Sequence, residues 1–353
     1  MRRACLAHIN KRYVRMGELD RQQFFILDDM TEKVEASYDD VAANIARFEE
    51  YMKQTKEPKD DIGLHCHEPY SCGFYTYCTR HLPNPNFFHI AGFTMDRKFN
   101  LYHMGLASFE DLKDSGELKE KQKLQVVYAL EDRPPFIRMS SLKEFMDGLY
   151  YPMYFLDFET CNPAVPHYEN SRPYQQIVFQ YSLHYLESEG GQLMHKEFLA
   201  APQGDPRRGV AERLCEDIPD NVCVLAYNMT FEKTVIKGLS NLFPDLADKL
   251  MRIHDNMQDL MYPFSHRDYY CPSMEGSYSI KNVLPALFPD DSELNYHNLE
   301  GVQNGNDASA AFMRMTNNPE QDWTELRQQL LKYCKLDTFA MVKIWQFLRE
   351  VVK

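Results

Sequence analysis

The chain has 353 residues, 44% hydrophobic and 13% aromatic, enough for a substantial core and more than one domain. Its 52 acidic and 39 basic side chains leave a net charge of −13, which excludes the broad basic surface of a nonspecific nucleic-acid binder, although not an enzyme whose bound cations supply positive charge. No stretch approaches the ~20 apolar residues of a membrane span and the N-terminus does not read as a signal peptide, so a cytoplasmic protein with no membrane partner is expected.

"ACLAHIN" at the start reads as a strand that begins without a cap or turn, so the chain is expected to be a fragment of a longer protein. Residues 38–56 are predicted helical, because Val41, Ile45, Phe48 and Met52 recur at three- and four-residue spacing, with Asp39 or Asp40 expected as the cap. Of nine cysteines, Cys5, Cys161, Cys215, Cys223, Cys271 and Cys334 stand alone and read as small core residues. Cys66, Cys72 and Cys78 cluster at six-residue intervals in "CHEPYSCGFYTYC", which points to a metal centre more than to packing. Zinc would need a fourth ligand, for which His65, His67 and His81 are candidates, although the spacing is not C-x-x-C; an iron–sulfur cluster commonly takes four thiolates. Residues 100–130 are predicted helical with a break near "KDSGE". Within them "LYHMGLASFEDL" has the glycine turn of half a helix-hairpin-helix, a turn also common elsewhere. "EDRPPF", 131–136, reads as a proline-rich joint and domain boundary.

From about residue 150 the pattern changes. Strand-like runs at 153–158, 176–186, 193–199 and 222–227 are followed by helical patterns at 207–217, 230–243, 279–288, 307–316 and 320–352. This predicts an α/β domain with a mixed sheet. In "YFLDFETC", 154–161, Asp157 and Glu159 are two apart and share one face of a strand. Two like charges there are unfavourable without a cation between them; a solvated strand end is the ordinary reading of D-x-E, and a divalent metal site requires further acids. "VLAYNMTFEKTVI", 224–236, runs from a strand into a helix with Glu232 in its first turn, where the helix dipole alone favours a carboxylate. In "LLKYCKLDTFAMVKIWQFL", 330–348, Leu330, Cys334, Met341, Ile344 and Leu348, with Leu326 one turn before, form an apolar stripe. Asp337 falls beside that stripe, one turn after Tyr333. An acid beside a buried stripe needs a partner. Asp259 reads first as the cap of the "LMYPF" turn and second as an auxiliary acid. In "GSYSIK", Ser277, Ser279, the free N–H groups of a helix start and Lys281 could receive a phosphate, with ordinary capping equally explaining Ser279.

D-x-E on a strand, N-x-x-F-E opening a helix and Y-x-x-x-D on a late helix, in this order, resemble the DnaQ-like (DEDD) exonuclease superfamily in its tyrosine subtype; "YCKLD" is similar to the corresponding segment of family B polymerase proofreading domains. The resemblance covers roughly 150–353 and departs in one place, since the second motif commonly ends in Asp where this chain has Glu232. It implies a ribonuclease H-like mixed sheet flanked by helices, and 3′–5′ hydrolysis of phosphodiester bonds at single-stranded or 3′-end DNA or RNA. Two Mg²⁺ or Mn²⁺ ions held by Asp157, Glu159, Glu232 and Asp337 would serve this reaction, with Tyr333 orienting the attacking water. Asn228, Phe231, Ser279 and Lys281 become substrate-binding candidates. "IGLHCHEPYSCGFYTYC" resembles the end of RecB-type nuclease domains that carry a [4Fe-4S] cluster, and the order of the two modules resembles a bacterial two-module nuclease family. The organisation expected is therefore a smaller N-terminal α+β remnant of such a domain over 1–85, a helical connector over 86–149 and the exonuclease domain over 150–353. The upstream acidic motif of the RecB-like domain is missing and no obvious fourth cysteine is present, Cys5 being a candidate by count only, so that domain's own nuclease activity is expected to be absent. The alternative function is a noncatalytic nucleic-acid or partner-binding module with the cysteine cluster as a metal staple.

Overall fold

The computed structural model describes residues 3–353, which divide into two compact units, one up to residue 81 together with 162–175 and the other 82–161 together with 176–353. The first contains β1 (Cys5–Ile9), α1 (Arg21–Phe24), β2 (Phe25–Asp29), α2 (Thr31–Met52) and α3 (Tyr75–Cys78). β1 and β2 pair antiparallel, Cys5 opposite Asp29 and Ile9 opposite Phe25. Residues 162–175 are tied to this unit through Arg15, whose N–H donates to the Ser171 carbonyl, whose carbonyl accepts from Asn170 N–H, and whose guanidinium donates to the carbonyls of Pro166 and His167.

α2 begins seven residues earlier than the spacing of its apolar residues predicts, so Asp39 and Asp40 lie inside it and cap nothing. The start is organised by Asp29, whose Oδ1 accepts from both the N–H and the hydroxyl of Thr31. Val41, Ile45, Phe48 and Met52 do share a face, but all four are exposed and α2 buries no residue. Periodicity specifies a helix face; it does not specify what covers it.

The second unit begins with α4 (Met95–His103), α5 (Phe109–Lys113), α6 (Glu120–Glu131), β3 (Phe136–Ile137) and α7 (Met139–Asp147). It continues with β4 (Met153–Cys161), β5 (Ile177–Leu186), β6 (Met194–Leu199), α8 (Pro206–Asp217), β7 (Cys223–Ala226), α9 (Thr230–Leu242), α10 (Ala247–Asp255) and β8 (Met257–Asp259). It ends with α11 (Tyr262–Ser265), β9 (Tyr269–Tyr270), α12 (Ile280–Leu287), α13 (Gly305–Asn317) and α14 (Thr324–Val351). The "EDRPPF" segment lies inside this unit, between α6 and β3, as does the whole of 86–149. Among the described residues no helix is long and apolar enough to cross a membrane.

Five strands form a mixed sheet in the order β6-β5-β4-β7-β8, with β4/β5 and β5/β6 antiparallel and β4/β7 and β7/β8 parallel. Alternation along β4 divides its side chains between two cores. Tyr154, Leu156 and Phe158 pack with Leu214 of α8, Ile236 of α9 and Ile253 of α10. Met153 and Phe155 join Met341, Trp345 and Leu348 of α14. Asp157 and Glu159 continue this second row, so the acids point to the α14 side.

A row of polar residues on β5 determines where α14 sits. Gln180, Ser182 and His184 pair in register with Glu159, Asp157 and Phe155, and therefore share their face. Gln180 Nε2 donates to the Leu330 carbonyl at 2.9 Å, Ser182 shares a 2.7 Å hydrogen bond with the Thr338 hydroxyl, and His184 Nδ1 lies 2.8 Å from that same hydroxyl. All four side chains are buried, where a displaced partner costs the full desolvation of the group left behind, so these bonds resist a shift of α14 along the sheet, although Gln180 Oε1 itself has no partner.

Candidate metal centre

β7 runs parallel to β4 beside it, so the carboxyl ends of both strands open at one edge of the sheet, the usual location of sites in α/β sheets. β4 delivers Asp157 and Glu159 there, with a register shift immediately after Glu159 that bends the strand out of its pairing. After β7 the chain turns at Asn228, at φ +67°, a left-handed conformation that Asn tolerates better than most residues. Asp259 Oδ1 stabilises the turn by accepting from Asn228 N–H and Met261 N–H, each at 2.9 Å, so Asp259 is the turn cap that its sequence context suggests. α9 then starts, and Glu232 in its first turn is 3% exposed with Oε2 lacking any hydrogen-bond partner.

α14 brings the remaining groups. Cys334 Sγ lies 3.8 Å from Asp157 Oδ2, and ligand atoms of Asp157, Glu159 and Cys334 all lie within 4.8 Å of one another. Asp337 Oδ1 accepts a 2.6 Å hydrogen bond from the Tyr296 hydroxyl, and the Tyr333 hydroxyl lies near enough to favour the charged form of the same carboxylate. A Cβ built on Gly305 would lie 3.8 Å from Glu159 Oε2, which puts the N-terminus of α13 against that acid.

The charges of Asp337 and Glu232 act on both acids of β4. Burial, followed by the charges of Asp337, Glu159 and Glu232, holds Asp157 well above the usual carboxylate range; burial, followed by Asp337 and Glu232, does the same to Glu159. Burial pushes Glu232 up to about 8, with Asp259 adding to the rise, and pushes Asp337 up to about 7 against the hydrogen bond of Tyr296, the neighbouring Tyr333 hydroxyl and the charge of Lys281. Burial and the neighbouring acids also raise the Cys334 thiol, so its S–H stays on and points to Asp157 as a weak donor. An oxygen-rich, mutually repelling set with an unpartnered buried carboxylate oxygen fits a hard divalent cation, which removes the repulsion and supplies the missing partner.

The other sequence candidates have more modest surroundings. Phe231 is half-buried in the first turn of α9, beside the core that α9 covers. Ser279 is exposed at the N-cap position of α12 but makes no side-chain cap; its N–H instead donates to Ser277 Oγ. Lys281 is exposed, yet near enough to act on Asp337. In the first unit, Cys66 is buried, Cys78 partly buried and Cys72 exposed, all as free thiols, with the Cys72 N–H donating to the Cys66 carbonyl at 2.8 Å. Cys66, Cys72 and Cys78 do not draw together in this way: among the described residues, Asp157, Glu159 and Cys334 are the one set of three or more ligand atoms within 4.8 Å, a set that includes neither Glu232 nor Asp337. Sequence reasoning missed Tyr296 and took Cys334 only as part of a stripe. Tyr296 lies in an irregular segment with no periodicity to single it out, and a cysteine in an apolar stripe gives no sign of what its thiol faces.

A protein family described as a domain of unknown function, DUF2779, matches residues 154–279, a span that holds Asp157, Glu159 and Glu232 but ends before Tyr333 and Asp337. Over 216 residues the chain is 27% identical to "Uncharacterized protein MG366 homolog" of Mycoplasma pneumoniae, covering 56% of this chain and 32% of that protein. It is 26% identical over 219 residues to "Uncharacterized protein MG366" of Mycoplasma genitalium, with the same coverage. No solved structure matches. The chain is thus similar over its sheet-bearing region to a family of unknown function, and its match spans about a third of the length of these curated relatives.

Proposed function

We propose that the second unit is a metal-dependent 3′–5′ exonuclease of the DnaQ-like, tyrosine-subtype kind, built on a ribonuclease H-like sheet and acting on single-stranded or 3′-end DNA or RNA. The observation that carries this reading is that Asp157 and Glu159 of β4 have ligand atoms within 4.8 Å of each other and of Cys334, while buried Asp337 and Glu232, from two helices, lie near enough for their charges to act on both. The mixed five-stranded sheet with acids at the end of its central strand supports the same reading.

Asp157, Glu159, Glu232 and Asp337 would hold two Mg²⁺ or Mn²⁺ ions, whose chemistry when bound is to stabilise the attacking and leaving oxygens of an in-line displacement at phosphorus. The rest falls to the chain. Burial and the adjacent acids raise the Tyr333 hydroxyl above its usual range, so it keeps its proton at neutral pH and acts as a hydrogen-bonding guide for the attacking water, not as a base. Cys334 donates to Asp157 and steadies it. Lys281, near Asp337 on the first turn of α12, is positioned to meet a phosphate oxygen, with Ser279 beside it. Glu232 is one methylene longer than an Asp in the same place, and its unpartnered Oε2 is the oxygen most available to a cation. For the first unit we propose an iron–sulfur centre, with zinc as the alternative, on Cys66, Cys72 and Cys78.

The test is a nuclease assay of the full chain on 5′-labelled single-stranded DNA and RNA, with Mg²⁺, with Mn²⁺ and with EDTA, and with Asp157→Asn as control. Stepwise shortening from the 3′ end that needs the metal and Asp157 is the expected result. Oligonucleotide binding without cleavage under every metal condition would replace this reading with the noncatalytic binding module.

A further inference from the structure

Tyr296 belongs to no motif, yet its hydroxyl makes the shortest polar contact described at the acid cluster, 2.6 Å to Asp337 Oδ1 across 41 residues of sequence. It sits on a single 3-10 turn, Tyr296–Asn298, entered through Asn295, whose side chain accepts from His297 N–H at 3.0 Å. That turn is tied forward to α13. Gln303 Nε2 donates to the Leu299 carbonyl at 2.7 Å, Gln303 N–H donates to Asp307, and Asn304 caps α13 by accepting from Asn306 and Asp307. α13 opens at Gly305, against Glu159. One hydrogen-bonded segment, 295–307, therefore bonds to the cluster at Asp337 through Tyr296 and passes close to Glu159 at Gly305.

We propose that Tyr296 is the positioning residue of this centre: by donating to Asp337 Oδ1 it fixes the orientation of that carboxylate and leaves the second oxygen for a divalent cation. The inference rests on the metal reading above and adds to it a residue that no motif supplies. Asp337 has two tyrosines to draw on, with ring centroids 6.0 Å apart. Tyr333 shares a helix with Asp337, whereas Tyr296 arrives from a separate segment. If Tyr296 supplies the standing hydrogen bond, the Tyr333 hydroxyl is free to be exchanged onto a water or a substrate oxygen without leaving Asp337 unbonded. Groups that orient a ligating carboxylate contribute about 10–100-fold to metal affinity.

The experiment is calorimetric titration of the full chain with MnCl₂ at pH 8, comparing wild type, Tyr296→Phe, Asn295→Ala and Asp337→Asn. Tyr296→Phe keeps the ring and removes one hydroxyl; it should bind Mn²⁺ about 10–100-fold more weakly. Asn295→Ala leaves Tyr296 in place but releases the turn, and should weaken Mn²⁺ several-fold, which keeps the inference testable if the Phe variant fails to fold. Wild-type Mn²⁺ binding with unchanged or tighter affinity in Tyr296→Phe overturns this inference alone, the tighter case showing that the hydroxyl competes with the ion. A wild-type chain whose Mn²⁺ binding is absent, or is indifferent to Asp337→Asn, overturns the metal reading and this inference with it.

Discussion

Replacing Glu232 by Gln should make the metal-free chain more stable, although it removes a group proposed to be essential. The sign follows from the raised ionisation of Glu232, about 8 in the fold against 4.5 for the unperturbed side chain. Between these values the native state binds a proton that the unfolded chain does not, so the contribution of Glu232 to stability falls as pH rises from about 4.5 to about 8 and is level outside that window. Near pH 7.5 the loss spans roughly three pH units at about 1.4 kcal/mol each, or about 4 kcal/mol. Gln is neutral in both states and avoids it. The new amide N–H₂ faces a pocket in which Oε2 already lacks a partner, and an unsatisfied buried donor costs about 1–3 kcal/mol. The net expectation is a gain of about 1–3 kcal/mol at pH 7.5 to 8. Urea unfolding in EDTA, followed by tryptophan fluorescence at pH 8 and at pH 4.5, measures it. The Gln variant should unfold at higher urea at pH 8 and lose that advantage at pH 4.5, and Mn²⁺ should stabilise wild type more than the variant. A variant no more stable than wild type at pH 8, or equally favoured at both pH values, would refute the picture of Glu232 as an uncompensated buried acid.

Tyr333→Phe should leave Mn²⁺ affinity close to wild type while cutting the cleavage rate about 10–10³-fold, the scale of one positioned catalytic hydrogen bond, whereas Asp337→Asn should lose both; single-turnover rates alongside metal titrations separate them. If Tyr333→Phe cleaves at the wild-type rate, Tyr333 drops out of the mechanism. Thr338→Val keeps the shape but removes the hydroxyl that joins α14 to Ser182 and His184, and should cost about 1–3 kcal/mol in urea unfolding; no change would show that this contact does not anchor the helix. Full-length protein purified anaerobically should contain iron that is lost on Cys72→Ser, and a colourless, metal-free, folded protein would remove the iron–sulfur proposal for Cys66, Cys72 and Cys78.

Much of the second unit was legible one element at a time. The strand runs at 153–158, 176–186, 193–199 and 222–227 and the five later helical patterns all correspond to elements of the structure, because each buries a row or stripe of side chains whose period survives in the sequence. That rule also placed Asp157 and Glu159 on one face and set Asp337 beside the α14 stripe. α10, nine residues long and burying only Leu250 and Ile253, offers too short a pattern to read.

Packing partners were not legible, since nothing local encodes them. The apolar face of α2 reads like any core helix and is exposed. Residues 162–175, between two strands of the second unit, belong with the first, where Arg15 satisfies the Pro166 and His167 carbonyls across 151 and 152 residues of sequence. Each acid of the cluster could be explained locally, by a strand end, a helix dipole or a stripe edge. Only the tertiary structure decided that they come near one another: β4 and β7 lie parallel, with Asp157 and Glu159 just past the end of β7, and the Gln180, Ser182 and His184 contacts hold α14 where the charge of Asp337 acts on both acids. Their unusual ionisation is a property of that meeting, because burial and repulsion act only once distant residues share a space from which water is excluded.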